Sequence, residues 1–209
     1  MQVTLYSYWR SSSSWRVRIA LALKELPYRY EPVALLPGEQ FDADHLQRNP
    51  MAQIPVLVID GQAHTQSLAI CQLLDELVAD PPLLSGDAHQ RAQTLALAEV
   101  INAGIQPIQN LAVLKHVVEI AGSEAKIPWG RHWIEVGLRA FEQSLAQTAG
   151  SFCVGDIVSV ADIFLIPQLY NARRFGCDLT GLDRIAAIEA RCVDLAAFVQ
   201  AHPDNQPDA

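Results

Sequence analysis

Residues 8–20, Tyr8-Trp9-Arg10-Ser11-Ser12-Ser13-Ser14-Trp15-Arg16-Val17-Arg18-Ile19-Ala20, join two different hydrophobic periods, and that junction narrows the choice of fold more than any other stretch. Before it, Val3, Leu5 and Ser7 alternate with Thr4, Tyr6 and Tyr8, the two-residue period of a strand buried on at least one face. After it, Trp15 to Lys24 holds good helix formers with no Gly or Pro. The polar turn must therefore close a strand and open a helix, with Ser13 or Ser14 available to cap the first free N–H groups. A helix start that follows a strand offers unpaired donors and the positive end of the helix dipole, which suits an anion. The four serine hydroxyls either add donors to such a site or cap the helix and line a polar loop. No cysteine lies here, so a sulfur anion bound at this turn comes from a ligand.

Pro27 to Val33 reads as a second strand, which completes a strand-helix-strand unit with parallel strands and a right-handed crossover. After a loop at 36–40, Phe41 to Arg48 forms a short irregular helix ended by Asn49-Pro50. Gln53 to His64 then reads as a hairpin turning at Asp60-Gly61, with Pro55 at the strand's first position. Ser67 sits where an N-cap belongs, ahead of an amphipathic helix through Cys71, Leu73, Leu74 and Leu77.

From Ala79 to Ala88 the sequence loses all period and carries two prolines and a glycine, the composition of a linker. Beyond it the runs are helical: Gln90 to Ala103, Ile108 to Ala121, Trp129 to Gln147, Ala161 to Arg173 and Arg184 to Ala201. Pro107 should kink or break the first of these runs. Ser159-Val160-Ala161-Asp162 has the spacing of a capping box and is assigned to folding. The segment 202–209 offers little to pack and is expected to fray. The chain therefore reads as an α/β domain at 1–80, a linker at 81–88 and an all-helical domain at 89–209.

Charge excludes one class of partner. A net charge of -8, with Lys24, Lys115 and Lys126 the only lysines, leaves no basic face for nucleic acid. Cys71, Cys153, Cys177 and Cys192 are scattered without metal-ligand spacing, so no metal is expected and the thiols read as reduced. No apolar run is long enough to cross a bilayer, and no charged segment precedes an apolar leader, so a cytoplasmic location is the expectation.

Residues 6–20 resemble the signature of zeta-class glutathione transferases, the maleylacetoacetate isomerases, which usually read Ser-Ser-Cys-x-Trp-Arg-Val-Arg-Ile-Ala. Here Ser13 stands where that cysteine would be. Asn49-Pro50-Met51, 53–55, 66–70, 104–111, Val154-Gly155-Asp156, Ala161-Asp162 and Pro167-Gln168 are similar to the same class, so the likeness spans the chain. It implies a thioredoxin-like domain followed by a helical one, a homodimer, and glutathione as cofactor. An X-Pro bond is ordinarily trans; the resemblance makes Ile54-Pro55 cis, so that Ile54 pairs main chain to main chain with a peptide ligand.

The activity so implied is isomerisation of maleylacetoacetate to fumarylacetoacetate, a step of phenylalanine and tyrosine breakdown. By match to the family, Ser11 hydrogen-bonds the glutathione thiolate, Gln66 and Ser67 hold the γ-glutamyl end, Gln53 and Ile54 line the peptide, and Gln40 reaches the glycine end. Arg10 and Arg174 are the expected carboxylate and enolate partners, with Gln106 as a polar substrate contact and Ser13 a neighbouring hydroxyl. Arg16 and Arg18 are read as structural or interface ion pairs, and Arg173 as a solvated charge. Maleylpyruvate isomerisation or a general zeta-class glutathione transferase activity is the nearest alternative, and a binding module of the same fold without turnover is the alternative from another class.

Overall fold

The sheet decides where everything chemical sits. In a computed structural model that describes all 209 residues, β1 (Val3–Ser7), β2 (Arg29–Pro32), β3 (Val56–Ile59) and β4 (Gln62–Thr65) lie in the order β2-β1-β3-β4. β2 runs parallel to β1, while β3 is antiparallel to both β1 and β4. The expected alternation is present: Val3, Leu5 and Ser7 are buried while Thr4 and Tyr6 are half-buried. The hairpin turns at Asp60 and Gly61 with φ of 48° and 87°, the two positive values that a tight primed turn demands. Both Ile54-Pro55 and Asp80-Pro81 are cis.

α1 (Ser12–Leu23) makes the crossover between β1 and β2. Every residue from Ser14 to Leu21 is buried, so this helix is enclosed instead of presenting one wet face. α3 (Ser67–Leu77) packs on it through an apolar stripe that includes Ile70, Cys71 and Leu74. Leu5, Leu57, Ile19, Leu21, Ile70 and Leu74 are completely buried. Each such side chain contributes on the order of 1.5–3 kcal/mol. Between β2 and β3, a 3-10 turn (Glu39–Phe41) leads into α2 (Ala43–Arg48).

Three expectations are corrected. α1 starts earlier than expected, and its N-cap is Ser11, not Ser13 or Ser14: the Ser11 Oγ accepts the Ser14 N–H at 3.2 Å. The run from Arg184 to Ala201 is two helices, α8 (Asp183–Cys192) and α9 (Ala196–Ala201), because Leu195 adopts extended backbone between them. α9 packs on α1, so residues from Asp194 onward join the first unit, Met1–Leu83, and Leu84–Val193 form the second. The segment 202–209 does not fray. Pro203 and Gln206 are buried, and the Gln206 amide donates to the carbonyls of Gln200 and His202 at 3.0 and 2.8 Å.

The second unit is helical: α4 (Ala88–Asn102), α5 (Leu111–Ala121), α6 (Lys126–Thr148), α7 (Val160–Arg174) and α8. Helix α4 stops short of Pro107, which lies in a separate 3-10 turn (Gln106–Gln109). α7 is the core element, buried from Val160 through Leu169. The fully buried Asp162 locks its start, with one carboxylate oxygen taking the Cys153 N–H and the other the Ser159 N–H and hydroxyl, each at 2.8 Å. Burial raises the Asp162 pKa despite these donors. Asp162→Ala would strand two buried N–H groups at about 1–3 kcal/mol each. A marked fall in the thermal midpoint followed by circular dichroism is the expected result, with Asp162→Asn losing less; an unchanged midpoint for Asp162→Ala would contradict the assignment.

Candidate active site

Sheet register gathers the expected ligand-binding residues of the first unit at one edge. Tyr6 pairs with Val56 and Val56 with Thr65, so the end of β1, the start of β3 and the end of β4 form one row. Ser7 pairs with Pro32, which brings the end of β2 to the same edge. From that edge emerge the turn that carries Arg10 and Ser11, the loop toward Gln40, the Gln53-Ile54-Pro55 segment and the Gln66-Ser67 start of α3. Carboxyl ends of strands followed directly by helix starts are where open α/β sheets bind ligands.

Ser11 closes a turn in which its N–H donates to the Tyr8 carbonyl at 2.9 Å, and its own carbonyl starts the helix by accepting from Trp15 at 2.9 Å. Since Ser11 Oγ already accepts from Ser14, its proton remains available to a ligand anion. The N–H groups of Ser12 and Ser13 lie ahead of the first helical bond and reinforce that field. The Arg10 guanidinium stands 5.1 Å from the centroid of the Trp9 ring, a cation–π contact that holds a charge beside the turn. Ser13 is half-buried, and no acidic residue occupies the first turn of α1 to act as its base.

At the start of α3, Gln66 adopts φ 68° and ψ 110°, a strained conformation for a non-glycine residue, and its side chain is exposed. Ser67 is buried and its Oγ accepts from Arg16 Nη1 at 3.2 Å, so this hydroxyl too keeps its proton for an acceptor. The Ile54 N–H and C=O make no hydrogen bond inside the chain. Gln53 is fixed through its carbonyl, which accepts the Asn49 amide at 2.8 Å and faces His45 Nε2 at 3.0 Å. Gln40 is buried with an unpartnered Oε1.

Gln106 and Arg174 belong to the second unit. Gln106 is half-buried at the start of the 3-10 turn after α4, and Arg174 is exposed in the last turn of α7. The adjacent Arg173 is exposed, as expected of a surface charge, and it has a partner there. It makes a bidentate pair with Glu189 at 2.6 and 2.7 Å, and that hydrogen bonding raises its pKa.

Arg16 and Arg18 are both completely buried, and they bond to hydroxyls and carbonyls within the chain. One sequence signal was available: Trp15, Val17, Ile19, Ala20 and Leu21 leave α1 no polar face on which an arginine could be solvated. The chain's own thiols make poor nucleophiles. Burial pushes Cys71 up to about 12 and Cys177 up to about 11, and it lifts Cys153 and Cys192 well above the usual range.

Residues 1–76 match the family described as Glutathione S-transferase, N-terminal domain. The chain is 49% identical to the probable maleylacetoacetate isomerase 2 of Drosophila melanogaster, over 100% of this chain and 91% of that one. A maleylacetoacetate isomerase from Anaeromyxobacter dehalogenans, solved with GSH in its active site, superposes with a TM-score of 0.91 at 48% identity, covering 100% of this chain and 98% of the other. The same isomerase has been solved with dicarboxyethyl glutathione and citrate in the active site, at a TM-score of 0.90 and 48% identity over 100% and 97% of the two chains. A bacterial zeta-class maleylpyruvate isomerase in its holo form superposes with a TM-score of 0.95 at 38% identity, with 99% of each chain covered.

The hydroxyl geometry separates two serines. Ser11→Ala should raise the pKa of a thiol bound at the α1 turn by about one pH unit, equivalent to about 1.4 kcal/mol, whereas Ser13→Ala should change it far less. Thiolate absorbance against pH, with glutathione bound, checks this; the reverse order would make Ser13 the working hydroxyl.

Proposed function

The chain belongs to the glutathione transferase family, on its zeta-class maleylacetoacetate isomerase branch, and from that premise we propose that it is a glutathione-dependent cis-trans isomerase converting maleylacetoacetate to fumarylacetoacetate. The observation that carries the reading is the capping geometry of Ser11, a hydroxyl whose lone pair is engaged by Ser14 while its proton stays free beside a helix start. A charge-assisted hydrogen bond of about 1.5–3 kcal/mol is enough to favour a thiolate at neutral pH.

The thiolate adds to the activated double bond. A carbon–sulfur bond forms, the π pair moves into the conjugated carbonyl as an enolate, and the former double bond turns as a single bond. The enolate pair then re-forms the double bond and expels the thiolate, so no net proton, electron or atom is consumed. Dicarboxyethyl glutathione in the active site of the Anaeromyxobacter dehalogenans isomerase is a diacid joined to glutathione, the kind of adduct this route requires.

In this reading Ser11 stabilises the sulfur anion, and Gln66 with Ser67 binds the γ-glutamyl end. Gln53, Ile54 and Gln40 hold the peptide. Arg10 and Arg174 meet substrate carboxylates and the enolate, with Gln106 as a polar contact and Ser13 as a bystander hydroxyl. The first unit, Met1–Leu83 with the chain from Asp194 onward, is taken to bind the cofactor, and the helical unit Leu84–Val193 the substrate.

Maleylpyruvate is the second candidate substrate, favoured by the TM-score of 0.95 to a maleylpyruvate isomerase. We take the working form to be a cytoplasmic homodimer serving phenylalanine and tyrosine breakdown, on the strength of the family; no helix is long and apolar enough to cross a membrane. Light scattering should give twice the 23.0 kDa chain mass, and a monomer mass would remove the dimer.

Assay of both diacids with glutathione tests the function. Maleylacetoacetate should be turned over with the higher kcat/KM, and Arg174→Ala should raise KM for it while leaving the glutathione dissociation constant unchanged. Preference for maleylpyruvate would move the assignment to the second candidate, and no turnover of either would leave the binding-module reading.

A further inference from the structure

The α1 turn does not hold its shape alone. Tyr8, Trp9, Arg10 and Ser11 form the link between β1 and α1, and its peptide groups are engaged from two sides. Arg18 Nη2 donates to the Trp9 carbonyl at 2.8 Å and Nη1 to the Tyr8 carbonyl at 3.4 Å. Asp208 accepts the Trp9 N–H on Oδ2 at 3.0 Å, while its Oδ1 accepts the Tyr30 hydroxyl at 2.6 Å. The Arg18 Nε reaches the Ala201 carbonyl at 3.1 Å, tying α9 and the segment after it to the same guanidinium. All of these residues lie in the first unit.

Burial raises the Tyr30 hydroxyl above its ordinary range and leaves it a donor at neutral pH. Arg18 is pulled down to about 10 by burial and stays a cation there.

We infer that Asp208 is a positioning residue for the thiolate site: held by Tyr30, its carboxylate fixes the Trp9 peptide and thereby the turn that sets the direction of the Ser11 hydroxyl. The inference rests on the reading of Ser11 as thiolate donor. Trp9 lies two residues before Ser11, and the Trp9 N–H shares one planar peptide group with the Tyr8 carbonyl that accepts the Ser11 N–H, so rotation of that peptide displaces the acceptor of the bond that closes the turn. A hydrogen bond between a hydroxyl and an anion weakens steeply once its angle falls toward about 120°. Release of the turn therefore degrades thiolate stabilisation without removing any group that touches glutathione.

The test measures three quantities for wild type, Asp208→Ala, Asp208→Asn and Tyr30→Phe: the thermal midpoint, the pKa of bound glutathione from thiolate absorbance, and kcat/KM against pH. Asp208→Ala should raise the bound thiol's pKa and lower kcat/KM at neutral pH by about ten-fold, an amount equivalent to about 1.4 kcal/mol. The deficit should shrink at higher pH, where thiolate forms without help. Asp208→Asn keeps an oxygen that accepts the Trp9 N–H and should recover most of the loss; Tyr30→Phe should show the same change at smaller size. In a Ser11→Ala background, Asp208→Ala should add almost nothing.

A fall in thermal midpoint with thiol titration and pH profile unchanged in all variants would reduce Asp208 to a structural tie and overturn the inference. So would an undiminished effect in the Ser11→Ala background. If Asp208→Ala does not fold, Asp208→Asn and Tyr30→Phe decide the matter by the same readouts. Absence of a bound-thiolate titration in the wild type would overturn the thiolate reading and this inference together, whereas a normal titration insensitive to Asp208 and Tyr30 would overturn this inference alone.

Discussion

A guanidinium buried completely inside the first unit is the constraint on which the rest of that unit depends. Arg18 remains charged, and an unsatisfied charge in an apolar interior costs several kcal/mol, so each of its donors must find an oxygen. Those oxygens come from Ser7 at the end of β1, from the Tyr8 and Trp9 carbonyls of the following turn, and from Ala201 at the end of α9. One side chain thus sets where the strand stops, how the turn bends, and where the chain returns nearly two hundred residues later. Arg16 does a smaller version of the same work, linking α1 to the hydroxyl at the start of α3.

Fixing the turn matters because of what the sheet puts around it. With β1, β2 and β4 ending at one edge and β3 beginning there, two helix starts and a peptide segment with unbonded N–H and C=O groups come together on a single rim. Two of the hydroxyls there, those of Ser11 and Ser67, each accept a hydrogen bond from within the protein and are left as donors outward. That arrangement offers hydrogen bonds to an anion and supplies no nucleophile. The thiols of the chain are kept protonated by burial, so the reactive sulfur is left to a ligand.

Much of this was legible in the sequence because it depends on local period. The alternation of Val3, Leu5 and Ser7, the Asp60-Gly61 turn and the capping-box spacing at Ser159 and Asp162 each specify their structure through neighbours a few residues away. The cis bond before Pro55 and the roles given to Ser11 and Gln66 came from likeness to a family, since no local rule favours a cis peptide or a strained glutamine. What escaped was long-range. The split of the last helical run at Leu195 follows from α9 packing on α1, and the ordering of 202–209 follows from Asp208 meeting Trp9 and Tyr30. A polar tail with two prolines reads as frayed until its partners in the first thirty residues are known. The placement of the N-cap at Ser11 instead of Ser13 or Ser14 has the same origin, because four consecutive serines give no local reason to prefer one.

The central claim is that glutathione's sulfur makes and breaks the bond while the protein's hydroxyls only stabilise it. S-Methylglutathione retains the γ-glutamyl and glycine ends but cannot form a thiolate. Isomerisation of maleylacetoacetate should be measured with glutathione and with S-methylglutathione, each at a concentration that calorimetry shows to occupy the site equally. Full turnover with glutathione and none above the uncatalysed rate with the methylated form is the predicted result; comparable turnover with both would mean that the chain's own groups carry the reaction.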